Sequence, residues 1–285
     1  MKTSKCLLAL AAAALSLPAF GQINISDFST ASGLQLNGNA AVVGSVLRLT
    51  PAAYNQAGSA FSTSSISLSS NASFSTYFQF RITGSGGSAD GDGWGADGIT
   101  FVVQTVANNV GGAGGGIGYL GISNSLGVEF DTWDNSTSWG DPNGNHVNFD
   151  FGGSFASSAT AVAIGNRMND GTVWNAWVDY NGATNALELR LLEGSNLRPT
   201  TALLSTTVDL AAQLGSFDAF VGFTSGTGSA FGNHDILAWE FRSTYNPIVT
   251  PGQGNVAVPE PSTYGLIAAG ILGAATLWRR RKVRS

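Results

Sequence analysis

The sequence predicts an all-β protein built from two antiparallel sheets packed face to face. Three observations carry that expectation. Apolar and polar residues alternate with period 2 in run after run, whereas helical periodicity is almost absent. Clusters of Gly, Asn and Ser separate these runs, which is the chemistry of turns. Many strands without helices can bury a common core only by laying sheet on sheet.

Both ends are set aside first. Lys2 and Lys5 precede an apolar run from Cys6 to Leu17; Pro18 breaks it, and Ala19-Phe20-Gly21 supplies a small-x-small cleavage site. Residues 1–21 therefore read as a secretory signal peptide for signal peptidase, with the mature start near Gln22. Cys6 is the sole cysteine, so the exported part has neither a disulfide nor a Cys-bound metal and needs a large core, bound ions, or both.

At the other end, Val258-Pro259-Glu260-Pro261-Ser262 leads into an apolar run, Tyr264 to Trp278, and then Arg279-Arg280-Arg281-Lys282. The run reads as a short C-terminal hydrophobic helix, below the ~20 residues of an ordinary membrane span. The basic cluster marks the cytoplasmic side. This order resembles the PEP-CTERM sorting signal (259–285) of Gram-negative bacteria. The resemblance implies processing by an exosortase, membrane contact only through the tail, and residence in the cell envelope or extracellular matrix. A permanent single-pass anchor is the other reading. Pro247 to Val258 forms the linker (247–258), leaving 22–246 as one domain.

The two ends take 7 of the 13 basic residues and 1 of the 18 acidic ones, leaving 6 against 17, or about −11. Such a surface repels phosphate backbones, so nucleic acid is a poor partner, while divalent cations and neutral ligands suit it.

Within the domain, Phe74, Phe78, Phe80 and Ile82 share one face of a strand, and Ile99, Phe101 and Val103 form another inner row. Leu187, Leu189 and Leu191 alternate with Glu188 and Arg190, and Leu237, Trp239 and Phe241 repeat the pattern. Trp174, Trp177 and Trp239 are expected in the core, and His234 as a cap or packed beside Asp235. The Gly-rich stretch from Gly111 to Gly118 is too long for a hairpin turn and reads as a shaped loop.

Chemistry concentrates in Gly127-Val128-Glu129-Phe130-Asp131-Thr132-Trp133-Asp134-Asn135. On a strand Glu129, Asp131 and Trp133 face one way. Two carboxylates so close repel each other, and a divalent cation is the simplest compensation. Asn135, Asp141 and His146 follow within one loop. Carboxylate and amide oxygens suit calcium, and carboxylates with an imidazole suit manganese or another transition metal.

Glu129-Phe-Asp131-Thr-Trp133-x-Asn135, then Asp141-Pro142-x-x-x-His146 and a strand ending at Asp150, resembles the metal-binding segment of the legume (L-type) lectins. The likeness extends over Gly95-Ala96-Asp97-Gly98-Ile99-Thr100-Phe101, Gly118-Tyr119-Leu120-Gly121, Trp174 to Leu191, and Val221-Gly222-Phe223 through Trp239. It implies a concanavalin A-like jelly-roll sandwich that binds a glycan or exopolysaccharide. By the same resemblance Glu129, Asp131, Asp141 and His146 hold Mn2+ or a similar ion. Asp131, Asn135, Asp141 and the Trp133 carbonyl hold Ca2+. Asp97, the Gly118 amide, Asn135, the Trp133 ring and Ser229 meet the sugar, and the Ala96–Asp97 peptide is cis.

Departures from the family pattern are an Asn135-to-Asp141 spacing one residue longer than in many relatives, Ala230 after Ser229, the extra carboxylate Asp134, and Ser154 as counterpart of the serine that orders a metal-bound water.

A competing reading is a laminarinase-like glucanase, whose strand carries two glutamates as nucleophile and acid. Here the positions after Glu129-Phe-Asp131 hold Asp134 and Asn135 instead, and no residue is nominated as catalytic. A third reading is a structural or adhesion protein that holds ions without sugar; Asp97, Gly118 and Asn135 argue against it.

The export reading carries its own test. In spheroplasts, added protease should digest residues 22–258; a domain cut only after lysis would contradict it.

Overall fold

Alternation in the chain becomes two large sheets in the computed structural model, which describes residues 21–69, 71–136, 139–155 and 161–249. The signal segment through residue 20, the hydrophobic run 264–278 and its basic cluster lie outside the described residues. Among the described residues no helix is long and apolar enough to cross a membrane.

The back sheet runs β16 (Leu204–Thr207), β15 (Ala186–Glu193), β14 (Trp174–Asn181), β7 (Phe74–Gly87), β18 (Ala230–Arg242), β4 (Val46–Thr50) and β3 (Ala41–Val43), with β1 (Gln22–Ile25) also paired to β18. The front sheet runs β13 (Val162–Ala163), β12 (His146–Phe151), β11 (Ser125–Asp131), β10 (Gly98–Gln104), β17 (Asp218–Gly226), β5 (Ala57–Ser62) and β2 (Leu34–Gly38), with β6 (Ile66–Ser67) also paired to β17. A small separate hairpin joins β8 (Ala89–Asp90) to β9 (Gly93–Trp94). Every pairing is antiparallel. The one α-helix among the described residues, α1 (Leu210–Leu214), is a single turn. Asp209 caps its start by accepting from the Ala212 amide, and Gly215 ends it at φ +68°.

The core lies between the sheets. Phe78 on β7 meets Phe101 on β10, Phe130 on β11 and Phe223 on β17 at ring-centroid distances of 5.8, 5.6 and 5.0 Å. Phe223 in turn meets Trp239 edge-on at 4.9 Å. The inner rows expected at Phe74–Ile82 and Ile99–Val103 are all buried.

A second apolar cluster (Phe61, Val102, Ile117, Tyr119, Ile122 and Phe155) lies on the outer face of the front sheet. It forms because the chain between β10 and β11 folds back over that face. Gly127 permits the approach: a Cβ there would meet the Tyr119 ring at 2.8 Å. Tyr119 then accepts hydrogen bonds from Ser125 Oγ (3.0 Å) and the Gly153 amide (3.1 Å).

Three details differ from the sequence reading. A β-bulge between Ile236 and Ala238 shifts the register of β18, so Ile236, Trp239 and Phe241 enter the core while Leu237 is only half-buried. His234 does not pair with Asp235. Its Nδ1 bonds Thr50 Oγ1 at 2.7 Å, and Asp235 takes the Arg48 guanidinium at 2.7 and 2.9 Å. Trp177 is buried outside the main core, with Tyr77 and Ile248. Ile248 thus keeps the chain docked past Asn246, where the linker was expected to begin.

Removing the central ring should be costly. Phe78→Ala is expected to lower unfolding stability by about 3–5 kcal/mol. Urea denaturation should show a lower midpoint at unchanged slope.

Candidate functional site

The site is laid out by strand register. β11 and β12 pair so that Asp131 sits opposite His146, Glu129 opposite Asn148 and Gly127 opposite Asp150. Alternation places Glu129, Asp131, His146, Asn148 and Asp150 together on the outer face, opposite the core residues Val128, Phe130, Val147 and Phe149. All five polar residues are buried. Ligating atoms of Glu129, Asp131 and His146 come within 4.8 Å of one another.

The loop between β11 and β12 adds Asp141. His146 Nε2 stands 3.4 Å from Glu129 Oε1 and 3.6 Å from Asp141 Oδ1. Its other nitrogen, Nδ1, lies 2.8 Å from the Asn143 carbonyl. A carbonyl can only accept, so Nδ1 carries a proton, which leaves Nε2 facing the carboxylates as a donor when the imidazole is charged and as a free ligand atom when it is not. Asp131 Oδ1 accepts from the Trp133 amide at 2.6 Å, and Asp141 Oδ2 accepts from the Asn135 amide at 2.7 Å. Each carboxylate thereby fixes the loop with one oxygen and keeps the other for the cluster.

Like charges taken out of water resist ionisation. Burial, then the Glu129 charge, holds the Asp131 and Asp150 carboxyls well above the usual range. Burial pushes Asp141 up to about 6. Burial alone would lower His146, but its contact with Glu129 and the charges of Glu129 and Asp141 outweigh it and raise the imidazole. Several buried carboxyls that resist ionisation, beside an imidazole that draws a proton to offset them, fit a site for a divalent cation, which would supply the missing positive charge instead.

Asp97 lies next to this cluster, at the start of β10. Its carbonyl accepts from the Thr132 amide (2.9 Å), and its own amide donates to the Gly226 carbonyl (3.2 Å). The Ala96–Asp97 peptide is cis. Asp97 is buried, its Oδ2 has no hydrogen-bond partner, and burial pushes the carboxyl up to about 7.

The Gly-rich loop closes around the same point. The Gly114 amide donates to the Thr227 carbonyl at 3.1 Å. A Cβ on Gly115 would meet Asn135 Nδ2 at 2.6 Å, and one on Gly118 (φ +70°) would meet Thr224 at 2.8 Å. Asn135 Oδ1 is likewise buried without a partner. A Cβ on Gly228 would lie 3.9 Å from Asp97 Oδ2, which brings the turn holding Ser229 to the same place. Ser229 is exposed and Trp133 half-buried.

Every nominated residue therefore falls on one of the elements that meet here. The reading missed Asp150, although period 2 from His146 puts it on the ligand face. It also left Asp134 without a role: Oδ1 accepts from the Ser136 amide at 2.7 Å, a local turn, and its own amide donates to Asp90 Oδ2 at 2.9 Å. Ser154 closes the turn after β12, its amide donating to the Phe151 carbonyl at 3.3 Å.

A family model described as the legume lectin domain matches residues 21–254, and one described as the PEP-CTERM protein-sorting motif matches residues 257–282. Among similar proteins, the L-type lectin-domain containing receptor kinase VIII.1 of Arabidopsis thaliana is 33% identical over 217 residues, 74% of this chain and 28% of the kinase. The bark lectin of Styphnolobium japonicum is 36% identical over 183 residues, 61% of this chain and 62% of the lectin. The chain thus spans less than two thirds of the length of these relatives. Among solved structures, lectin II from Ulex europaeus superposes with a TM-score of 0.64 at 26% identity, covering 78% of this chain and 97% of that one. Winged bean acidic lectin complexed with methyl-α-D-galactose gives 0.65 at 28%, covering 79% and 98%.

The electrostatics give a signed expectation for protein stripped of ions by chelator. Groups with raised folded-state pKa values bind more protons folded than unfolded, so stability falls as pH rises through the interval between the two values. For Asp141 that interval runs from 3.8 to about 6, and the raised His146 acts in the same direction. The buried His234, held down to about 3, acts the other way below about 6.5, but the raised Asp97, Asp131, Asp141, Asp150 and His146 outnumber it, so chelated protein should melt at a higher temperature at pH 5 than at pH 7. Restoring divalent ions should flatten or reverse the slope, because ions need deprotonated ligands. A chelated Tm that climbs from pH 5 to pH 7 would contradict this account.

Proposed function

The chain belongs to the legume lectin domain family and carries a PEP-CTERM protein-sorting motif, and on that premise we propose that it is an exported carbohydrate-binding protein whose site is organised by calcium and manganese ions. The family is a lectin rather than a hydrolase, and the protein is a binding protein, not an enzyme. The sorting motif marks it for export to the envelope or beyond. In our reading the source is a Gram-negative bacterium, an exosortase processes the tail, and the target is a surface or matrix glycan.

The observation that supports sugar binding best is the convergence at Asp97. A buried carboxylate oxygen without a partner, a buried amide oxygen on Asn135, the backbone around Gly118 and the turn at Ser229 meet beside a half-buried tryptophan. A pyranose offers paired hydroxyls and one apolar face. A carboxylate accepts from the hydroxyls, an amide both donates and accepts, a bare Gly amide donates, and the Trp133 ring stacks on the apolar face. Binding of methyl-α-D-galactose by the winged bean lectin fits this class of ligand.

The metal roles are those the lectin resemblance implies, and the grouping of Glu129, Asp131 and His146 with Asp141 beside them supports them. Glu129, Asp131, Asp141 and His146 Nε2 would hold manganese or a similar ion, and Asp131, Asn135, Asp141 and the Trp133 carbonyl would hold calcium. The ions would hold Asn135 and Trp133 in place without touching sugar. Since they bind only the folded site, they would also stabilise it.

A glycan array probed with and without calcium tests the reading as a whole. Calorimetry on Asp97→Ala tests its centre. Charge-assisted hydrogen bonds contribute roughly 1.5–3 kcal/mol each, so sugar affinity should fall at least about tenfold. Metal content and the drop in Tm on EDTA treatment should stay as in the wild type, because Asp97 is not a proposed ligand. Undiminished sugar binding by the variant would place the site elsewhere.

A further inference from the structure

The β8–β9 hairpin immediately precedes Asp97, and the sugar scheme above leaves it without a role. Its second strand ends on Trp94, opposite Ala89 at the open end of the hairpin, and Trp94 is 61% exposed. The other tryptophans among the described residues are buried or half-buried. A large ring left in water on a floppy loop would need no explanation, but this hairpin is rigidly held. Asp90 Oδ1 accepts from the amides of Asp92 (2.9 Å) and Gly93 (3.0 Å). The Trp94 carbonyl accepts from Arg167 Nη2 (3.0 Å) and Asn169 Nδ2 (3.2 Å). Arg167 also donates to the Asp92 carbonyl and to Asn169 Oδ1. Glycines flank the ring on both sides: a Cβ on Gly93 (φ +124°) would strike Arg167, and one on Gly95 (φ +97°) would strike Ser85.

The hairpin is tied to three parts of the candidate site at once. The Ser88 amide donates to the Ser229 carbonyl at 2.9 Å, and Ser88 in turn accepts from the Gly95 amide at 3.3 Å. Asp90 Oδ2 accepts from the Asp134 amide (2.9 Å), and Asp92 Oδ2 from the Gly144 amide (2.7 Å), so the hairpin braces both ends of the loop that carries Asn135 and Asp141. Trp94 stands three positions before Asp97, with only Gly95 and Ala96 between, a reach of at most roughly 11 Å.

From this we propose that Trp94 is a specificity-determining platform, stacking on the next unit of a neutral oligosaccharide whose terminal unit sits at Asp97. The proposal rests on the lectin reading. An exposed indole on an anchored backbone offers apolar area with only two side-chain torsions to fix, which is what the C–H face of a pyranose needs. The carboxylates of Asp90, Asp92 and Asp134 outnumber the neighbouring cation Arg167, whose donors are taken by the hairpin carbonyls and Asn169, so the local charge disfavours acidic sugars and the chain selected is neutral.

The test uses the whole domain loaded with calcium and manganese, on an array that displays neutral hexoses each as a monosaccharide and as its linear trisaccharide. Hits are then titrated by calorimetry. Wild-type protein should bind the trisaccharide about tenfold more tightly than the matching monosaccharide. Trp94→Ala should lose that gain selectively, Trp94→Phe should keep most of it, and both should melt as the wild type does because the ring is exposed. Asp97→Ala should abolish binding of both forms. If Trp94→Ala keeps the full trisaccharide gain, the platform is overturned while the Asp97 site stands. A wild-type protein that binds nothing displayed overturns the lectin reading and the platform together.

Discussion

Burying like charges side by side is the constraint on which this molecule's arrangement turns. Glu129, Asp131, Asp141 and Asp150 are all buried around one imidazole. No sandwich needs such a patch for stability: desolvating several carboxylates without a counter-charge opposes folding. The neighbouring structure is organised around it. Asp131 and Asp141 spend one oxygen each on the Trp133 and Asn135 amides, so the geometry of the charged cluster also sets the path of the loop that presents those residues. The state of the cluster and the aim of the loop are one variable.

Much of this was legible because strand chemistry is periodic. Once Glu129 and Asp131 sit at alternate positions of a strand, their shared face follows, and the types at Asp141 and His146 complete a recognisable donor set. The inner rows of β7 and β10 were legible for the same reason. What was not legible depended on a break in the period or on remote partners. The bulge in β18 swaps Leu237 for Ile236, and alternation alone cannot announce the extra residue. Asp150 obeys the period but was read as the end of a strand rather than as part of the cluster. The β8–β9 hairpin is the clearest case: Arg167 and Gly144, which hold it, lie 75 and 52 residues away from Asp92, and the local sequence shows only a run of Gly and Asp.

The glycines have a related lesson. Along the chain, Gly111 to Gly118 reads as a shaped loop, but nothing local says what shapes it. In space several of its members are moulds: the Asn135 amide occupies the volume where Gly115 would carry a side chain, and Thr224 does the same at Gly118. Low complexity there records close approach of backbone to side chain rather than lack of structure.

The two ends of the described chain lie together. The Ser243 amide donates to the Gly21 carbonyl at 3.1 Å, and a few residues on, Ile248 is buried against Tyr77 and Trp177, on the back sheet. The carboxylate patch lies on the outer face of the front sheet. Gly21 also lies against Ile66, which pairs with the start of β17, whereas Asp97 bonds Gly226 at that strand's other end, so a tag, a bead or a fluorophore attached at either terminus starts from the end of the strands opposite Asp97. A sensor surface coated through those ends would turn the loops around Asp97 away from the support, with every copy offering the same end to solution.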